Sequence, residues 1–228
     1  MTKALERRRH LCYAFDSLQG PAGDVLNRQV MRRIKKLIAG GGCLGICAAP
    51  PCGTYSIACR PAKRSRQYVF GLPVLTEANR RKTEHANKVT AALCEILETA
   101  QRFDVPWIVE NPQTSLIWRV PRLMRIAKQA KAEPVTLHQC AYGTPWRKAT
   151  TLLTARMQHT SRLARLCRPA ADKLCSHSGR PHITLQGSLT SRAAEFPRAL
   201  CDRIALVMVD TAWSSGVATA AKTFQLRC

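Results

Sequence analysis

Two short motifs hold the side chains best suited to chemistry. Ala49-Pro50-Pro51-Cys52-Gly53-Thr54-Tyr55-Ser56 puts a thiol behind two prolines at the end of an apolar stretch. Trp107-Ile108-Val109, also apolar, runs into Glu110-Asn111-Pro112. Prolines fix the backbone and with it the direction of the following side chain. A thiolate is a strong nucleophile, and a carboxylic acid within reach is a natural general acid. Together they can add to an electron-poor ring and protonate it, which is the chemistry a nucleobase invites.

Such groups need a frame, and the hydropathy pattern predicts one. Leu11 to Phe15 reads as a strand with Asp16 at its tip, followed by the turn Gly20-Pro21-Ala22-Gly23-Asp24. Val25 to Ala39 reads as a helix, with Leu26, Val30, Ile34 and Leu37 on one face and Gly40-Gly41-Gly42 as its stop. Cys43 to Ala49 is a buried strand ended by Pro50-Pro51. Residues 53–76 lack periodicity, and a loop that long in a compact domain is usually functional or disordered. Asn79 to Phe103 is the strongest helical pattern. The strand Trp107 to Val109, the helix Arg122 to Ala132, the strands Val135 to Leu137 and Thr151 to Thr154, and a closing helix Arg198 to Val209 complete the series.

Alternating strands and helices predict an α/β fold with a mainly parallel sheet flanked by helices, whose site lies at the carboxyl ends of the strands. Asp16, Cys52 and Glu110 all fall at such ends. Residues 1–155 are expected to form the core and 156–190 a small basic lobe rich in Cys and His. Residues 191–228 would give a helix returning to the core, and a tail.

The chain has 228 residues, with 36 Lys and Arg against 14 Asp and Glu, a formal charge of +22 and a pI near 10.3. Solubility alone does not need that imbalance, so a polyanionic partner is expected, nucleic acid before a membrane surface. No apolar run reaches the roughly 18 residues of a membrane helix, and no apolar segment follows the basic N-terminus, so an intracellular, non-secreted protein is expected. Eleven cysteines in such a setting read as reduced. Cys167, Cys175, His177 and His182 crowd into one short segment, with His138 or Cys140 as substitutes, and offer the ligands that Zn²⁺ prefers. A basic loop with incidental Cys and His is the plain alternative.

Taken in order, these motifs resemble those of the DNA cytosine-5 methyltransferases over roughly residues 11–155. Pro51-Cys52 with Ser56 is similar to the family's Pro-Cys motif, and Glu110-Asn111 to its Glu-Asn motif. Tyr142-Gly143-Thr144-Pro145-Trp146-Arg147-Lys148 resembles its Gly-x-Pro-Gln-x-Arg-x-Arg motif, with Trp146, Lys148 and Thr150 as departures. The resemblance implies a Rossmann-like methyltransferase fold and S-adenosylmethionine as cofactor. It implies Cys52 as the nucleophile toward C6 of cytosine, Glu110 as the group at N3, and Lys148 in the catalytic set. Asp16, Asp24 and Pro51 would meet the cofactor. Ser56, Arg60, Lys63, Arg64, Arg66 and Arg147 would meet nucleic acid, with DNA as the expected partner, RNA left open, and a nucleus or nucleoid as the compartment.

The family's Phe-x-Gly-x-Gly loop is absent from the 228 residues, so an N-terminally incomplete fold is expected. A catalytically inactive, nucleic-acid-binding remnant is therefore the competing reading. An adenine amino-methyltransferase is disfavoured, because Ala49 and Cys52 stand where such sites carry an Asp or Asn and an aromatic residue.

Overall fold

A computed structural model describes residues 1–169, 173–214 and the backbone of 222–227. Residues 170–172 of the expected lobe, and 215–221 and 228 of the expected tail, lie outside the described residues. The elements in chain order are α1 (Thr2–Glu6), β1 (Leu11–Asp16), α2 (Arg28–Ala39), β2 (Cys43–Ala49), α3 (Glu77–Arg102), β3 (Trp107–Pro112), α4 (Pro121–Gln129), β4 (Glu133–His138), β5 (Ala149–Ala155), α5 (Leu189–Arg192), α6 (Arg198–Ser214) and β6 (Lys222–Arg227). No helix among the described residues is long and apolar enough to cross a membrane.

The fold is α/β, as expected, and its sheet is mixed, with three parallel and two antiparallel strand pairings. Six strands run in the order β1-β6-β2-β3-β5-β4. The first four pair in parallel, whereas β5 is antiparallel to both β3 and β4. The cause is local. β4 and β5 are joined by only ten residues, 139–148, and a connection that short favours an antiparallel return over a parallel crossover. The strand β6 was not anticipated. Its sequence, Lys-Thr-Phe-Gln-Leu-Arg, alternates polar and apolar and carries no flanking Pro or Gly to announce a strand. It ends with Arg227 level with both Asp16 and Ala49.

Helices cover both faces, and strand alternation divides the core accordingly. Ile46, Ala48, Trp107, Val109 and Leu153 pack with α2, α3 and α4. Cys47, Ile108 and Leu152 pack with α1 and α6 on the other face. The long helices form where the pattern put them. α2 buries Val30, Ile34 and Ile38 at four-residue steps and is capped by the Asn27 side chain, which accepts from Gln29 N at 2.9 Å. α3 is capped by Thr76 and ends at Arg102, where Asp104 turns left-handed before Pro106. Gly45 lets α6 lie close on β2, since a β-carbon there would sit 2.9 Å from Met208 Cε and 3.2 Å from the Pro106 carbonyl oxygen.

Candidate active site

The carboxyl ends of β2 and β3 stand side by side, with Ala48 paired to Val109. Two residues further, the strands are tied by Asn111. Its side chain is fully buried and Nδ2 donates to the Pro50 carbonyl at 3.0 Å. The Pro-Pro turn is thereby fixed against β3, and Cys52 opens the next turn, its carbonyl accepting from Tyr55 N and Ser56 N at 3.0 and 2.9 Å. Cys52 is half-buried.

Glu110 is 5% exposed. Its ion-pair partner among the described residues is Lys148, whose Nζ lies 3.7 Å from Oε1. That distance is an ion pair but too long for a hydrogen bond, so Oε1 is a buried acceptor without a donor among the described residues. The Lys148 ammonium donates instead to the Ala193 carbonyl at 2.9 Å, at the end of α5. Burial pushes the Glu110 carboxyl above its ordinary value, and Lys148 offsets only part of that rise. The thiol of Cys52 is likewise raised, first by burial and further by the Glu110 charge, with Lys148 pulling it down. Cys52, Glu110 and Lys148 therefore form one electrostatic unit. It holds a nucleophile, a carboxyl biased to keep its proton, and a cation favouring both anions.

The other expected site residues are distributed unevenly. Asp16 lies at the end of β1, where one carboxylate oxygen caps Leu18 N at 3.0 Å. It borders a cavity of about 560 Å³ with Ala14, Phe15, Gln19 and Lys3. Gly23 folds tightly over the Asp16 backbone, and a β-carbon there would come 2.2 Å from the Asp16 carbonyl oxygen. Asp24 is engaged in its own turn, accepting from Leu26 N at 2.9 Å. Pro51 is half-buried beside Cys52. Ser56 accepts from Ala58 N within its turn.

Arg60, Arg66 and Arg147 are exposed, whereas Lys63 and Arg64 are buried. For Arg64 this overturns the expected surface role. Its guanidinium reaches Thr54 Oγ1, the Val69 and Thr83 carbonyls and Asn87 Oδ1, and lies 3.7 Å from the Tyr55 ring centre. It fastens the 53–76 loop to α3 and keeps no free edge for a phosphate. The Lys63 ammonium is directed at Cys59 Sγ and the Pro61 carbonyl. The charge count treats every basic residue as solvated. What it missed is that Tyr55 and Asn87 provide an aromatic face and a side-chain acceptor for a buried guanidinium.

A second cluster lies behind the 139–148 connection. Cys140, Cys167, Cys175 and His182 bring their ligand atoms within 4.8 Å of one another, and this Cys₃His set can hold a metal such as zinc. Three members of the expected set, Cys167, Cys175 and His182, come together in this cluster. His177 is exposed and points its Nε2 at the Leu166 carbonyl, 3.1 Å away, and Cys140 takes its place. Sequence proximity favoured His177, while the fold delivers Cys140 from the turn after β4. No protein-family model, curated protein or solved structure matches this chain.

Proposed function

We propose that this chain attacks a cytosine ring in nucleic acid, DNA in the first instance, as part of a C5 methyl transfer of the Rossmann-like methyltransferase type. The observation that supports it best is the placing of Cys52 and buried Glu110 at adjoining ends of two parallel strands, with Lys148 reaching Glu110 from the connection before β5. Neither group is unusual alone. Together they match what addition to a pyrimidine requires, in the order of motifs that resembles the cytosine-5 enzymes.

The Cys52 thiolate forms a bond to C6. The ring's electron pair moves toward N3, which takes a proton from Glu110, a carboxyl whose hold on its proton burial strengthens. The neutral enamine so formed is nucleophilic at C5. After C5 is substituted, transfer of its proton to water and expulsion of the Cys52 thiolate restore the aromatic ring, and N3 returns its proton to Glu110. Lys148 limits the accumulation of negative charge when Glu110 is ionised and favours the thiolate at Cys52. A base reaches such a site only by leaving its stack. The exposed Arg60, Arg66 and Arg147 are suited to the flanking phosphates.

S-adenosylmethionine, when bound, supplies the methyl group. Asp16 fits its part in holding that cofactor: it borders the 560 Å³ cavity at the strand ends, and its second carboxylate oxygen has no partner among the described residues. A hydroxyl-bearing ribose is a natural ligand for it.

The test uses DNA carrying 2-pyrimidinone in place of cytosine, a ring more electrophilic at C6 that needs no methyl donor to trap a thiol. A covalent complex with the wild-type chain, absent with Cys52→Ser, is expected. Calorimetry with S-adenosylmethionine then separates an active transferase from the competing remnant, which would show no heat.

A further inference from the structure

We propose that Cys140, Cys167, Cys175 and His182 form a closed structural zinc site that clamps the 164–187 segment to the β4–β5 connection and so holds Lys148 at Glu110. The geometry fits zinc closely. Tetrahedral bonds of about 2.3 Å to sulfur and about 2.05 Å to nitrogen place two sulfurs about 3.8 Å apart and a sulfur and nitrogen about 3.6 Å apart. Cys167 Sγ lies 3.8 Å from Cys175 Sγ and 3.6 Å from His182 Nε2. The three cysteines are 4%, 1% and 3% exposed and form an apolar cluster of their own. Three buried thiols facing one imidazole have no better partner for one another than a cation.

The surroundings are built to hold these ligands still, as metal sites need. The Cys167 amide donates to His138 Nδ1 at 2.9 Å, and Ser176 Oγ reaches Cys167 Sγ at 3.5 Å. Cys175 sits in a tight turn, its amide donating to the Arg180 carbonyl and its carbonyl accepting from Gly179 N, both at 2.8 Å. The segment has little else to hold it. No helix or strand is formed between residues 164 and 188 among the described residues, and of its larger apolar side chains Leu166 and Ile183 are 41% and 48% exposed while Leu174 and Leu185 are only half-buried. A segment without a core of its own needs a staple.

The clamp leads directly to the candidate active site, and the inference rests on that reading only for what Lys148 does there. Cys140 and Lys148 both belong to the ten-residue connection 139–148. Gln139 N donates to the Lys148 carbonyl at 3.0 Å, and Gln139 Oε1 accepts from Trp146 Nε1 at 3.0 Å. From the other side, Ile183 N donates to the Pro145 carbonyl at 2.8 Å, one residue beyond the ligand His182. Anchoring Cys140 and His182 on one ion thus fixes the base from which Lys148 extends.

The full chain, purified under reducing conditions, should carry one zinc per molecule by native mass spectrometry. Removing it with a mercurial and a chelator should speed amide exchange in residues 145–149 and 173–187 by about tenfold or more, and restoring zinc should reverse this. Cobalt substitution should give a tetrahedral spectrum with thiolate charge transfer. That spectrum should be unchanged in His177→Ala and altered in His182→Ala, a pair of variants that does not depend on whether a cysteine variant folds. Metal-free protein with full protection at 145–149, or loss of cobalt binding in His177→Ala with retention in His182→Ala, would overturn the proposal. None of these readouts involves methyl transfer, so the zinc site and the proposed reaction can fail separately.

Discussion

Replacing Lys148 with Met should destabilise the protein by an amount that grows with pH. At 3.7 Å from Glu110 Oε1 the ammonium contributes a Coulomb attraction of about 4.5 kcal/mol at an effective dielectric of about 20. Desolvation of the pair reduces the net to about 2–4 kcal/mol. That part exists only while Glu110 is ionised. A further contribution of roughly 2 kcal/mol comes from the bond to the Ala193 carbonyl and is independent of pH in this range. Glu110 titrates above its ordinary value in the folded chain. Its folded state therefore binds the proton more tightly than the unfolded chain, and the associated stability is complete at low pH and lost as pH rises through the folded value. Removing Lys148 steepens that loss. Urea unfolding followed by tryptophan fluorescence should give a difference from wild type of about 2 kcal/mol at a low pH where Glu110 keeps its proton and about 4–6 kcal/mol at a high pH where it is ionised. In a Glu110→Gln background the dependence should vanish. An equal difference at both pH values, or an unchanged dependence in that background, would refute the pairing.

Three further outcomes follow from the same geometry. Alkylation of Cys52 by iodoacetamide should show a midpoint above that of an ordinary thiol, rising further in Lys148→Met and falling in Glu110→Gln, as mass spectrometry across pH would show. Arg64→Ala should cost about 3 kcal/mol or more and open residues 53–76 to proteolysis, whereas Arg66→Ala should leave the unfolding midpoint unchanged and lower the salt dependence of DNA binding by about one phosphate contact. Gly23→Ala should destabilise the β1–α2 turn measurably in thermal unfolding, because its β-carbon would strike backbone rather than a movable side chain.

The parts of the fold that were legible in the sequence are those with their own punctuation. β2 is seven apolar or small residues between a glycine run and two prolines, and it forms at Cys43–Ala49 as expected. β3 was read short, at Val109, because Glu110 and Asn111 look like loop residues. They continue the strand because β5 pairs with them in register. β6 was illegible: its partners β1 and β2 lie about 200 residues away in the chain, and nothing local marks Lys222–Arg227 as central to a sheet. The same distinction holds for the sites. Cys52 and Glu110 could be singled out because prolines frame each one. The buried role of Arg64 and the choice of Cys140 over His177 could not be read, since they are decided by Tyr55, Asn87 and His182, which only the folded chain assembles around them.

The central claim is that Cys52 attacks C6 of a pyrimidine with Glu110 supplying the proton. Intact-mass analysis of the chain with 2-pyrimidinone DNA tests it most directly. The account predicts a one-to-one covalent complex, mapped by peptide sequencing to Cys52, missing in Cys52→Ser and formed at least about tenfold more slowly in Glu110→Gln. A complex that persists in Cys52→Ser, or one mapped to another of the cysteines, would contradict it.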